Sequence, residues 1–290
     1  MLSFGVMSRS FLPRVLGLIP PSVRRTVIGR SDRPSKIATI LHNLFNRAPQ
    51  DRSEMYPCHG TLQGFKMSTD WKRYRGYVYG NWEPVATEAI QSSVTLGMCA
   101  FDIGAHLGYY SLLLAKCVGP IGHVVSFEAA PNNFLTLQRN VSVNDLKNVQ
   151  LINQAVYSQN TTISMSVSTA DTASGDWSII REPNGASIQV QTIVLDRFCE
   201  EHQIFPDFLK IDVEGAEYDV LLGGREVIAR RWPTMLIELH HFDGNLEANL
   251  VPDLLRKWNY EVRWLERWSQ TSQILAQPIS TKPVEEPQFK

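Results

Sequence analysis

Four features are absent from this chain of 290 residues. It has no C-x-x-C pair: Cys58, Cys99, Cys117 and Cys199 are scattered, which excludes a zinc ribbon or a redox dithiol and fits free thiols in a reducing compartment. It has no charge excess: a formal net charge of −1 gives no global pull toward nucleic acid. It has no apolar run of membrane-spanning length, since Pro13, Pro20 and Pro21 break the longest early stretch. It has no internal repeat and no low-complexity tract. What remains is ordinary soluble composition, 43% hydrophobic and 20% charged, enough for one large domain with extensions or two small ones.

The first 36 residues carry seven Lys/Arg and one acid, Asp32. No small-residue cleavage site follows an unbroken apolar core, so a secretory signal is not expected. We read residues 1–50 as a basic N-terminal arm, a packed or disordered leader with weak membrane-surface association through residues 1–30 as an alternative. A cytoplasmic location, peripheral to a membrane at most, follows.

The chemistry begins at 101–114, F-D-I-G-A-H-L-G-Y-Y-S-L-L-L. An apolar strand (98–102) ends at Asp102, two glycines follow at Gly104 and Gly108, and a helical pattern starts. Glycine tolerates positive φ and leaves room for a ligand beside the backbone, and the helix start adds N–H donors. A dinucleotide site needs G-x-G-x-x-G directly after the strand. Here the spacing is D-x-G-x-x-x-G, with a second acid, Glu128, closing the next strand (123–128) 26 residues after Asp102. A carboxylate at that strand tip accepts ribose hydroxyls. This register points to S-adenosylmethionine (SAM) rather than NAD. The expected cofactor-binding set is Asp102, Gly104, Ala105, His106, Gly108 and Glu128, with Asn153, Gln154 and Ala155 near the adenine.

Further strands are expected at 149–153, 208–213, 235–240 and 260–265, and helices at 84–92, 108–117, 131–143, 215–222 and 246–257. Period-two alternation at 163–168 and 187–191 predicts an inserted β-hairpin around a polar loop, 170–186. The fold class is α/β: a Rossmann-like, doubly wound, mainly parallel seven-stranded sheet with that hairpin and an N-terminal extension. The catalytic domain should span 51–268, with its SAM-binding core from about 96, followed by an irregular tail, 269–290.

In such a sheet ligands lie outside the carboxyl ends of the strands. There Asp212, Glu214, Glu238 and His240 form the candidate catalytic set, brought together if the strands at 208–213 and 235–240 are neighbours. Three uses stay open. His240 is a general base oriented by a carboxylate; the cluster holds a divalent metal; or the acids shape the loop and cap the next helix. A metal is possible but not expected. His241 reads as a structural histidine. Trp82 and Glu83 either line the pocket or pack the arm, and Lys72, Arg73 and Arg75 read as a solvated surface.

F-D-I-G-A-H-L-G-Y-Y-S (101–111), F-E-A-A-P-N-N (127–133), D-F-L-K-I-D-V-E-G-A-E (207–217) and P-T-M-L-I-E-L-H (233–240) resemble the FkbM family of SAM-dependent methyltransferases. Y-V-Y-G-N-W-E-P (77–84) resembles the family's approach segment, and Ala129 replaces its usual proline. The resemblance covers about 60–265 and implies O-methylation of a hydroxyl on a sugar, glycoconjugate or secondary metabolite. The partner would be a small-molecule or glycan acceptor, not nucleic acid. An NAD-dependent oxidoreductase and a non-catalytic SAM-binding or membrane-associated scaffold are the alternatives.

Overall fold

The computed structural model describes residues 55–167, 177–178, 187–241 and 248–279. The arm expected at 1–50, most of the loop at 170–186 and the start of the helix expected at 246 lie outside these residues. Two units divide the chain between Trp82 and Glu83.

The first unit contains a short antiparallel pair, β1 (Tyr56–Pro57) with β2 (Lys66–Met67), and helix α1 (Trp71–Tyr79). Tyr74 stacks on Tyr77, and Trp82 meets the Tyr77 ring edge-on at 4.8 Å. Trp82 is therefore part of an aromatic cluster within this unit.

The second unit is built on a seven-stranded sheet. Its strands are β3 (Cys99–Ile103), β4 (His123–Phe127), β5 (Val149–Ile152), β10 (Phe208–Ile211), β11 (Thr234–His240), β12 (Tyr260–Arg267) and β13 (Thr271–Pro278). Their spatial order is β12-β13-β11-β10-β3-β4-β5. All neighbours from β11 to β5 pair in parallel, and β13 runs antiparallel between β11 and β12. From β3 the chain steps outward to β5, then returns beside β3 as β10 and steps the other way. The switch point lies between β3 and β10, where open α/β sheets hold their ligands.

The central strands are buried on both faces, which is why they read as apolar runs rather than alternations. On one face Phe101 and Phe127 meet Phe198 of helix α5 (Leu195–His202). On the other, Asp102 faces Ser111 of helix α3 (Tyr109–Val118). Helices thus cover both faces. The others are α2 (Pro84–Ser93), α4 (Pro131–Val143), α6 (Glu217–Gly223), α7 (Arg225–Arg231) and α8 (Val251–Lys257). The sequence reading missed α5 and α7. Helix α5 did carry a helical signal, since Leu195, Phe198 and Cys199 are buried at i, i+3 and i+4.

The inserted hairpin is present. Strand β7 (Thr162–Val167) pairs antiparallel with β9 (Ser187–Ile193), and β6 (Ala155–Val156) and β8 (Trp177–Ser178) extend it to four strands in the order β6-β9-β7-β8. The tail needs correction. Residues 271–278, expected to be irregular, are the seventh strand of the main sheet. Ser272, Gln273, Ile274, Leu275 and Ala276 are all buried because β13 has a strand on either side and layers above and below. Two-sided burial removes the alternation that marks a strand, and Gln273 and Gln277 leave an apolar run of only Ile274, Leu275 and Ala276. All four cysteines are free.

Gly104 and Gly108 have φ of +83° and +94°. A Cβ on Gly104 would lie 1.7 Å from the carbonyl oxygen of Asp212, and one on Gly108 would lie 2.6 Å from Leu137 Cδ1. The space at Gly104 is thus taken by the chain leaving β10, and glycine there serves the closure of the switch point itself. Replacing Gly104 with Ala combines that overlap with left-handed strain. It should lower unfolding stability by about 3 kcal/mol or more, read by denaturant unfolding.

Candidate active site

The site grows from one row across the sheet. The register pairs Lys210 of β10 with Asp102 of β3, and Asp102 with Ser126 of β4. Ser126 donates to Ser111 Oγ at 2.9 Å, and Ser111 donates to Asp102 Oδ2 at 2.6 Å. Lys210 Nζ donates to Asp212 Oδ2 at 3.0 Å and to the Gly104 carbonyl at 3.3 Å, and lies 3.7 Å from Asp102 Oδ1. It also sits 5.0 Å from the centre of the Tyr110 ring. Burial alone would lower the ammonium's pKa, but the charges of Asp212 and Asp102 outweigh it and hold the pKa above the usual lysine range. Burial pushes the Asp102 carboxyl up, against the pull of Lys210 and the Ser111 hydrogen bond.

Beyond β3, Glu128 closes the glycine turn. Its Oε2 accepts the His106 amide at 2.7 Å, and its Oε1 accepts the Ala130 amide at 2.8 Å. Burial nevertheless raises its pKa to about 7. His106 has φ +51°, so its backbone is bent into the left-handed region as its amide turns toward Glu128. Asn153 Nδ2 donates to the Glu128 carbonyl at 2.7 Å and props the loop after β4. Ala155 begins β6, next to Gln154.

Beyond β10 and β11 the expected set converges. Strand β10 ends at Ile211, so Asp212 and Glu214 lie on the loop after it, not on the pleat of the strand. The sequence reading extended this strand to 213, but strand alternation does not govern Asp212 and Glu214. Glu214 instead turns inward through a left-handed residue, φ +53°. Its Oε2 lies 3.2 Å from His240 Nε2, and Asp212 Oδ1 lies 3.9 Å from the same nitrogen. His240 Nδ1 is 2.8 Å from Oε1 of Glu217, a residue the sequence reading left in the next helix. Glu217 Oε1 also accepts the Gly215 amide at 2.8 Å.

Burial would lower the His240 pKa, but the Glu217 hydrogen bond and the charges of Glu214, Glu217 and Asp212 raise it to about 10. His240 therefore rests as an imidazolium at neutral pH, and a base role requires that proton to leave first. Burial would raise the pKa of the half-buried Asp212, but Lys210 and His240 hold it below its usual value. Glu238 reaches Gln273 Nε2 at 3.4 Å; burial, then the charges of Asp212 and Glu83, lift its pKa to about 8. Gln273 Nε2 also donates to Glu83 Oε2 at 2.6 Å, where the Tyr110 hydroxyl donates too. Burial likewise raises the Glu83 pKa. His241 is buried beside Ser272 Oγ at 3.2 Å, in keeping with a structural histidine.

These carboxylates surround one lysine at the carboxyl ends of β3, β10 and β11. The Methyltransferase FkbM domain matches residues 102–262, from Asp102 to within β12. The chain belongs to the FkbM family of SAM-dependent methyltransferases. An FkbM methyltransferase from Methylobacillus flagellatus KT is similar over 62% of this chain and 43% of that one, at 18% identity and a TM-score of 0.44. The chain thus spans less than half the length of that protein. A SAM-dependent methyltransferase from Aquifex aeolicus is similar over 67% of this chain and 89% of that one, at 15% identity and a TM-score of 0.41. The fibrillarin of Aeropyrum pernix, solved with natively bound SAM, covers 67% of this chain and 74% of its own, at 16% identity and a TM-score of 0.40. No curated protein matches the chain. Among the described residues no helix is long and apolar enough to cross a membrane.

The sequence reading assigned no site role to Lys210, Glu217 or Gln273, and left Glu83 between lining the pocket and packing the arm. Lys210 carried a signal, a lone lysine inside the apolar run F-L-K-I. Removing it with Lys210→Met leaves Asp102 without a counter-charge and Asp212 with His240 alone, which should cost about 3–5 kcal/mol of stability at neutral pH. Asp212's folded pKa is lowered, so the stability it contributes is present above its unfolded value and fades as pH falls. The deficit of the variant, read by denaturant unfolding, should therefore be larger at about pH 7 than at about pH 4.

Proposed function

We propose that the chain transfers the methyl group of SAM to a hydroxyl oxygen of a small-molecule or glycan acceptor. The observation that carries this reading is the meeting of the Asp102–Gly108 turn and the Asp212–Glu214–His240 cluster at one switch point. The residues suit the cofactor. Asp102 Oδ1 is buried with no hydrogen-bond partner among the described residues, and Asp212, held below its usual pKa, adds negative charge for a sulfonium and an ammonium. Each Glu128 oxygen holds one N–H and keeps a lone pair for a ribose hydroxyl.

Glu128 would hold the ribose; Gly104, Ala105, His106 and Gly108 would line the methionine end; Asn153, Gln154 and Ala155 would flank the adenine. SAM, when bound, would supply an electrophilic methyl group with the sulfur as its leaving group. The protein's part is alignment and removal of the hydroxyl proton. Asp212, Glu214, Glu238 and His240 orient the acceptor oxygen, and His240 takes its proton once its own has left. The hairpin β7–β9 would help enclose the acceptor.

Calorimetric titration of the full chain with S-adenosylhomocysteine and, separately, NAD⁺ tests the cofactor. S-adenosylhomocysteine should bind, NAD⁺ should not, and Glu128→Ala should weaken the first. The reverse preference would return the oxidoreductase reading. Ribose hydroxyls favour the ionised carboxylate, so affinity should rise as pH climbs toward about 7, by up to about tenfold per pH unit, and this slope should vanish in Glu128→Ala. With an acceptor in hand, His240→Ala should lower kcat by roughly a hundredfold or more while changing S-adenosylhomocysteine affinity little. Equal loss of both in a folded variant would count against a role at the acceptor.

A further inference from the structure

We infer that Asp212 Oδ1, Glu214 Oε2 and His240 Nε2 form a binding site for a divalent cation of oxygen–nitrogen preference, of the Mn²⁺ or Mg²⁺ type. The three donor atoms lie within 4.8 Å of one another, the one such group among the described residues. Two ligands at right angles, each about 2.1 Å from an ion, stand about 3.0 Å apart. The separations of 3.2 Å from His240 Nε2 to Glu214 and 3.9 Å to Asp212 need only small adjustments to close on an ion.

The far side of two of these ligands is already held. Lys210 anchors Asp212 through Oδ2, leaving Oδ1 to face His240. Glu217, its side chain 3% exposed, takes His240 Nδ1 and aims Nε2 at the two acids. A carboxylate on the far nitrogen is the support that ligating histidines use, fixing the ring and raising its donor strength. The His240 side chain is 7% exposed, whereas those of Asp212 and Glu214 are 27% and 37% exposed, so an ion has an entry side and room to keep water ligands. Glu83 and Glu238 join the cluster through Gln273, and Glu217 joins it through His240. The cations that balance these acids in the resting site are Lys210 and the His240 imidazolium, whose proton an ion at Nε2 would displace. Two carboxylates and one imidazole suit Mn²⁺ better than a thiophilic metal.

The site follows from these residues alone; its use in catalysis rests on the methyl-transfer reading. There, an acceptor hydroxyl bound to the ion becomes more acidic, its proton leaves to water at the exposed rim by Glu214, and the oxygen keeps the pair that bonds to the methyl.

The test is Mn²⁺ titration of the chelator-treated full chain, followed by loss of the free-ion electron paramagnetic resonance signal. One ion per chain should bind at about 100 µM or tighter. Glu214→Gln and His240→Gln should each weaken binding at least about tenfold, and Asp253→Asn on α8 should not. No binding at about 1 mM, or binding unchanged in both site variants, overturns the inference and leaves His240 a proton-bearing bridge between carboxylates. Glu214 is partly exposed, so its variant should keep the far-ultraviolet circular dichroism of the parent if His240→Gln does not. Calorimetry with S-adenosylhomocysteine on the same samples separates the two readings. Cofactor binding without Mn²⁺ binding sinks the metal site alone, and Mn²⁺ binding without cofactor binding sinks the methyl-transfer reading alone.

Discussion

The structure of the site depends on one buried ammonium. Lys210 is the cation shared by Asp102 at the end of β3 and Asp212 just past the end of β10, and it also touches the Gly104 carbonyl. Two strands that are 106 residues apart in sequence, from Gly104 to Lys210, are joined at that point. A carboxylate at position 102 with no exposure at all is tolerable only because Ser111 and Lys210 compensate it. Once Asp102 is fixed, the glycine turn that follows has one path, and the Asp212 carbonyl occupies the space beside Gly104.

From this anchor the charge pattern of the site follows. Three strands end at the switch point, and each contributes acids: Asp102 by β3, Asp212 and Glu214 by β10, Glu238 by β11. Glu83 joins them through Gln273. The neutralising groups are few, so burial pushes some carboxyls toward the protonated form, while His240 is drawn to the charged form. A site in this state is prepared for cations. The sulfonium of the proposed cofactor would be one, and the divalent ion inferred at Asp212, Glu214 and His240 would be a second. Either would change how firmly His240 keeps its proton, because the same carboxylates that raise its pKa would then face a competing charge.

Helix α6 has a part in this beyond packing. Its first residue, Glu217, accepts from the Gly215 amide and fixes the His240 ring, so one carboxylate ties the turn D-V-E-G-A-E to β11. The turn in turn forces Glu214 into the left-handed region, where a non-glycine residue pays a small strain to face the cluster. In D-V-E-G-A-E the acids at 212, 214 and 217 thus have separate tasks: bridging to Lys210, facing His240, and orienting it.

Much of this was legible from local pattern. The parallel strands, the glycine turn, Glu128 at the second strand's tip and the inserted hairpin all follow from short-range rules of burial and turn chemistry, and Asp212, Glu214, Glu238 and His240 follow from the strand-end rule. Three things were not. Strand β13 lies between two other strands, so its two-sided burial erased the alternation that would have marked it. The inward turn of Glu214 depends on backbone conformation after the strand, where period two no longer applies. The pairing of Lys210 with Asp102, of Glu83 with Gln273 and of Glu217 with His240 joins residues between 23 and 190 positions apart. Local sequence determined which elements form and which residue types stand at their tips. Only the tertiary structure decided which charges meet, because partner choice is set by strand order and register rather than by neighbours in the chain.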